Sequence, residues 1–131
     1  MNQNLVQITY LVDDYDEAIA FFTQKLSFVL VENTVVSPEK RWVVVAPQGK
    51  QSCKLLLAKA ANDTQKQTIG NQTGGRVFLF LHTDNLARDY ENLLKNNITI
   101  IRKPSEEAFG KVLVFADLYG NLWDLIEPKN P

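Results

Sequence analysis

The chain has one cysteine, Cys53, so an intrachain disulfide is excluded. Long apolar runs are missing too, since no stretch reaches the roughly 18 to 20 residues needed to span a bilayer. No charge of one sign dominates. The formal net charge is −1, with lysines and arginines scattered rather than gathered in a stripe. This gives no electrostatic reason to expect a nucleic-acid or anionic-membrane partner. The opening "MNQNLVQITYLVDDYDEA" has no basic start, and its apolar run ends at Asp13 and Asp14, unlike a secretory leader. The expectation is a cytoplasmic protein. Phosphate-loop chemistry is absent as well, because Gly74 and Gly75 precede a strand pattern rather than a helix. Cys53, at the start of "CKLLLAKA", reads as an inert, semi-buried thiol, with no His/Asn constellation to activate it.

What is present is enough for a core. The 131 residues, 45% of them hydrophobic and 22% charged, match one ordinary globular domain. β-rich "VQITYLV" (6–12) ends at the turn-forming "DDYD". Asp14 or Asp13 is placed to cap "YDEAIAFFTQKL", where Ala18, Ile19, Phe22 and Leu26 recur at helical spacing. Strands follow at 28–36, 41–47 and 53–60. The segment 61–75 is polar, rich in turn formers, and reads as a long loop, either a linker or a flap. Then the order begins again. A strand at 76–83 leads to a helix over 84–97, with Asp84 as cap and Leu86, Tyr90, Leu93 and Leu94 on its apolar face. Strands follow at 98–104, 111–118 and 122–128, with "SEEAFG" and "YGN" as turns.

The pattern is βαβββ, loop, βαβββ, an internal repeat in element order. Asp13 and Asp84 close their strands 71 positions apart, and the same offset superposes Ile19 on Tyr90, Phe22 on Leu93, and Gln7 on Phe78. The predicted fold is α+β. A single domain over 1–131 comprises repeat 1 (1–60), a loop (61–75) and repeat 2 (76–131). One helix per half covers one face of each sheet and leaves the other face open, so the sheets are expected to curl around a cavity.

Two stretches then carry a family resemblance. "VDDYDEAIAFFTQKLSFVLV", with Phe21, Phe22, Leu26 and Phe28, resembles the opening strand, turn and helix of the vicinal oxygen chelate superfamily. This group takes in glyoxalases, bleomycin-resistance proteins and extradiol dioxygenases. "DLYGNLWDLIE" is similar to its closing "DPxGNxxEL" turn and strand, with Leu118 where Pro is common. The resemblance covers essentially the whole chain and implies paired βαβββ modules, a sheet cavity and a homodimer.

In metal-using members of such a family, one ligand lies on the first and one on the last strand of each half. By that resemblance the four positions are Gln7, Leu56, Phe78 and Asp124. Two are hydrocarbons without a lone pair, so the resemblance implies the fold and cavity rather than the metal. If a divalent cation such as Zn, Ni, Fe or Mn is held, Gln7 and Asp124 hold it. His82, the one histidine, lies farther along the strand of Phe78.

Strand alternation sends Val6, Ile8, Tyr10 and Val12 under the helix, and Leu5, Gln7, Thr9 and Leu11 the other way. In the second half Arg76, Phe78, Phe80 and His82 share the open face, as do Leu122, Asp124 and Ile126. The expected ligand cavity holds Gln7, Thr9, Leu56, Phe78, Phe80 and Asp124, mostly apolar with a few polar groups. Of Arg41 and Trp42, parity does not select the inward residue. No catalytic residue is assigned. The leading expectation is a metal-free protein that binds a small organic molecule. The alternatives are a metal-dependent lyase, isomerase or dioxygenase-like enzyme, and a domain acting through its dimer surface.

Overall fold

Alternation decides which side of each strand is dry. In the first strand, β1 (Gln7–Val12), Tyr10 and Val12 are fully buried while Thr9 is exposed. The computed structural model describes residues 1–129. The chain divides into two compact units, Met1–Ile69 and Gly70–Pro131.

In the first unit, β1 leads into α1 (Tyr15–Ala20). Asp14 caps this helix by accepting a 2.8 Å bond from the Glu17 amide. The helix continues as a π-type turn over Phe21–Lys25, closed by the Leu26 amide donating to the Phe21 carbonyl. That extra residue in the turn brings both Phe21 and Phe22 inward. Phe22 meets Tyr10 edge-on at 5.3 Å and lies 5.4 Å from Phe28. Strands β2 (Val29–Ser37), β3 (Lys40–Ala46) and β4 (Lys54–Lys59) complete a sheet ordered β1-β4-β3-β2. β1 runs parallel to β4, and the other pairs are antiparallel. Val43, Val45, Leu55 and Leu57 join Tyr10 and Val12 on the face beneath α1.

The stretch 61–75, expected as a loop throughout, contains a short helix, α2 (Asp63–Thr68), that packs beside β1. Asn62 accepts from the Gln65 amide at 2.9 Å, and the Gln65 side chain reaches back to accept from the Ala61 amide at 2.7 Å. This is a reciprocal cap.

The second unit repeats the plan. β5 (Val77–His82), α3 (Leu86–Lys95), β6 (Thr99–Glu107), β7 (Gly110–Ala116) and β8 (Leu122–Pro128) form a sheet ordered β5-β8-β7-β6. The α3 cap is Asn85 rather than Asp84, since Asn85 accepts from the Arg88 amide at 3.0 Å. Asp84 instead pairs with Arg88, and Glu127 of β8 accepts from the Leu86 amide at 2.8 Å. Leu86 and Leu93 are buried as expected, but Leu94 is exposed. β6 runs on to Glu107, through the first half of the expected "SEEAFG" turn. Phe115 stacks on Trp123 at 5.6 Å and, with Leu113 and Leu125, fills the face under α3.

Candidate functional site

The "DLYGNLW" turn builds the start of β8. Asp117 is only 6% exposed. Its carboxylate accepts from the Tyr119 amide at 3.0 Å, the Asn121 amide at 3.1 Å and the Trp123 Nε1 at 2.9 Å. The Asn121 side-chain amide adds a fourth donor at 3.2 Å. The Asp117 amide donates to the Asn121 carbonyl, and the Gly120 amide to the Asp117 carbonyl, each at 3.0 Å. Gly120 takes φ +93°, which favours glycine. The buried carboxylate is thus fully engaged in shaping the turn. With Trp123 pinned inward, period-2 alternation sends Asp124 to the opposite, open face.

On that open face the ladder sets Phe80 beside Asp124, Asp124 beside Val114, and Val114 beside Arg102. The next row sets His82 beside Ile126 and Val112. Phe80 is 65% exposed, a large share for a phenylalanine at mid-strand. Asp124 is half-buried. Among the described residues no hydrogen bond or ion pair reaches its carboxylate. Burial pushes the Asp124 carboxyl above its ordinary value, and the positive charge of Arg102 partly opposes that shift.

The ladder is irregular at Phe78. Val77 pairs with Leu122 and Leu79 with Trp123, so Phe78 is the extra residue of a bulge. In register, Gln7 pairs with Lys54 as Val77 pairs with Leu122. The counterpart of Gln7 is therefore Val77, not Phe78.

In the first unit, Thr9, Leu56, Val44 and Glu32 form the matching row, with Gln7 and Lys54 one step away. Trp42, two residues from Val44 on β3 and paired with Thr34, belongs to this open face and is 38% exposed. Arg41 turns the other way. Its guanidinium lies over the Tyr15 ring, bonds Asp16 at 2.9 Å and reaches Asn33. An open groove of about 660 Å³ at the end of this unit is lined by Tyr15, Val35, Glu39, Arg41 and Lys59 among others, and by none of the expected site residues.

Each open face offers at most one donor at the expected ligand positions, Gln7 in the first unit and Asp124 in the second, beside the hydrocarbons Leu56 and Phe78. Among the described residues no group of three or more His, Cys, Asp or Glu side chains is close enough to hold a metal. Among the described residues no helix is long and apolar enough to cross a membrane.

Comparison with known proteins agrees with this layout. An uncharacterised protein of Shewanella frigidimarina is 52% identical, over 97% of this chain and 95% of its own. The crystal structure of UcmS2 superposes with a TM-score of 0.83 at 29% identity, covering 97% of this chain and 99% of that one. TnmS3, an antibiotic binding protein from Streptomyces sp. CB03234, shares the fold with a TM-score of 0.78 at 23% identity, over 98% of both chains. The family model of the glyoxalase/bleomycin resistance protein/dioxygenase superfamily matches residues 4–125, and the chain belongs to that superfamily.

Proposed function

We propose that this protein binds a small, partly aromatic organic molecule on the open sheet face that carries Phe80 and Asp124, and does so without a metal. One observation carries the reading. A half-buried carboxylate with no hydrogen-bond or ion-pair partner among the described residues stands beside a phenylalanine left 65% exposed. Burying a carboxylate unpaired is unfavourable, so its place on an apolar face calls for a ligand that supplies a donor or a positive charge. Phe80 offers that ligand a ring face, while Leu122 and Ile126 flank Asp124 on the same side. The antibiotic-binding description of TnmS3, at the same fold, supports a natural-product-sized ligand.

The proposal includes a cytoplasmic homodimer. The single cysteine asks for no oxidising compartment. The edge strand β2 leaves Val29, Leu30, Val31, Val35 and Val36 exposed on its two sides, an apolar edge that a second copy would cover. Val35→Lys is expected to shift the protein toward monomer in sedimentation velocity.

The test is metal analysis of the purified protein, with thermal shift against divalent cations and against a panel of planar aromatic amines. Stabilisation by amines and none by cations is expected. A stoichiometric Zn, Ni, Fe or Mn would overturn the metal-free reading, and silence across the whole amine panel would overturn ligand binding.

A further inference from the structure

The ladder places one more charged residue on the face of Asp124. Arg102 lies two strands away in the same row, with Val114 between them. At about 4.8 Å per strand step their backbones are about 10 Å apart. Strict alternation along β6 does not bring Arg102 here. Ile100 pairs with Phe115, on the face under α3, and Arg102 pairs with Val114, on the open face. Ile101 is the extra residue of a bulge between them, and this bulge turns Arg102 over.

The two opposite charges do not meet. Arg102 and Asp124 form no ion pair, although Arg102 acts on the Asp124 carboxyl through its charge. Val114 is buried and forms an apolar floor between them. A carboxylate and a guanidinium held apart over a hydrocarbon floor, with an exposed ring at the carboxylate end, match a molecule of the same pattern. Such a molecule has a flat apolar body, a donor or cation at one end and an anionic or acceptor oxygen at the other.

We infer that Arg102 is a specificity-determining residue, and that the ligand class is an amphoteric aromatic. Its basic group binds Asp124, its body lies against Phe80 and Val114, and its acidic oxygen binds Arg102. This rests on the small-molecule reading above and narrows it from cationic to doubly charged ligands.

Three matched probes test it by isothermal titration. They are a biphenyl with an aminomethyl group at one end and a carboxylate at the other, the methyl ester of that acid, and the acid without the amine. The amphoteric probe is expected to bind at least tenfold more tightly than either of the others. Arg102→Ala should bring its affinity down to that of the ester and leave the ester unaffected. Asp124→Asn should weaken both amine-bearing probes. If the amphoteric probe and its methyl ester bind the wild-type protein equally, or if Arg102→Ala weakens both equally, the role of Arg102 is overturned while the small-molecule reading stands. If none of the three binds, both are overturned.

Discussion

The two halves share a frame and differ in what they hang on it. Glu32 and Arg102 are 70 positions apart, and each follows a bulge at the same point of its edge strand. Thr9 and Phe80, 71 apart, occupy equivalent places on the first strands. The open row of the first half reads Thr9, Leu56, Val44, Glu32, and that of the second reads Phe80, Asp124, Val114, Arg102. The frame conserves the hydrocarbon floor and changes the other three positions. In the second half a carboxylate and a guanidinium face the same side over Val114. In the first half a single carboxylate, Glu32, stands without a cation in its row. The cores differ as well. The first takes its aromatic cluster from its helix and flanking segments, Tyr10, Phe22 and Phe28, whereas the second takes it from strands, Phe115 and Trp123. A common frame thus leaves each half free to specialise its open face.

Substitutions test how far the halves have separated. The largest effect is expected from Phe22→Ala, which empties a fully buried position among three rings. A loss of about 3–5 kcal/mol should appear in chemical denaturation. Asp117→Ala attacks the second half, leaving the Trp123 indole and two turn amides without their acceptor. About 1–3 kcal/mol is expected for each group that water does not reach, and hydrogen exchange at Tyr119 and Asn121 should rise selectively. Leu56→Asp copies the second half's carboxylate into the first, where the row holds Glu32 instead of a cation. A cost of about 1–2 kcal/mol at neutral pH should show in thermal melts and shrink in acid.

Asp124→Asn is the mildest. Because burial raises the folded-state value of this carboxyl, its ionisation opposes folding, and the contribution to stability is fully present only below the unfolded value. That contribution is lost as pH rises through the raised folded value. The asparagine variant should therefore be slightly more stable near neutrality, by no more than about 0.5 kcal/mol. The difference should vanish in acid below the ordinary carboxylate value. A melt that shows Asp124→Asn less stable at neutral pH would mean that the carboxylate has a partner in the folded state.

The frame was legible because period-2 alternation and helical spacing are strong signals. Tyr10, Val12, Phe22, Leu93, Trp123 and Leu125 all lie buried where their spacing puts them. Bulges were not legible. An extra residue at Ile101 or Phe78 leaves no compositional mark, yet at Ile101 it turns Arg102 to the open face and at Phe78 it breaks the match between the two first strands. Arg102 was missed for this reason, and Gln7 was matched to Phe78 instead of Val77. Trp42 needed only the ladder, which ties it to Thr34 and sets it two residues from Val44. The helix α2 did have a signal. Asn62 three positions before Gln65 is a capping pattern, hidden within a polar segment without an apolar stripe. The preference for Asn85 over Asp84 as cap lies within the usual one-residue uncertainty of helix ends.

Gly70 carries a practical consequence for anyone dividing this chain. It takes φ +75°, and a Cβ there would lie 2.0 Å from the Tyr119 carbonyl oxygen. The residue therefore rests directly on the turn shaped by Asp117, six positions upstream of where the repeat begins in the sequence pattern. A fragment intended to keep that turn native must start no later than Gly70. An affinity tag or fusion junction inserted between Gly70 and the first strand of the second unit would be spliced into that unit's own packing rather than into a neutral spacer.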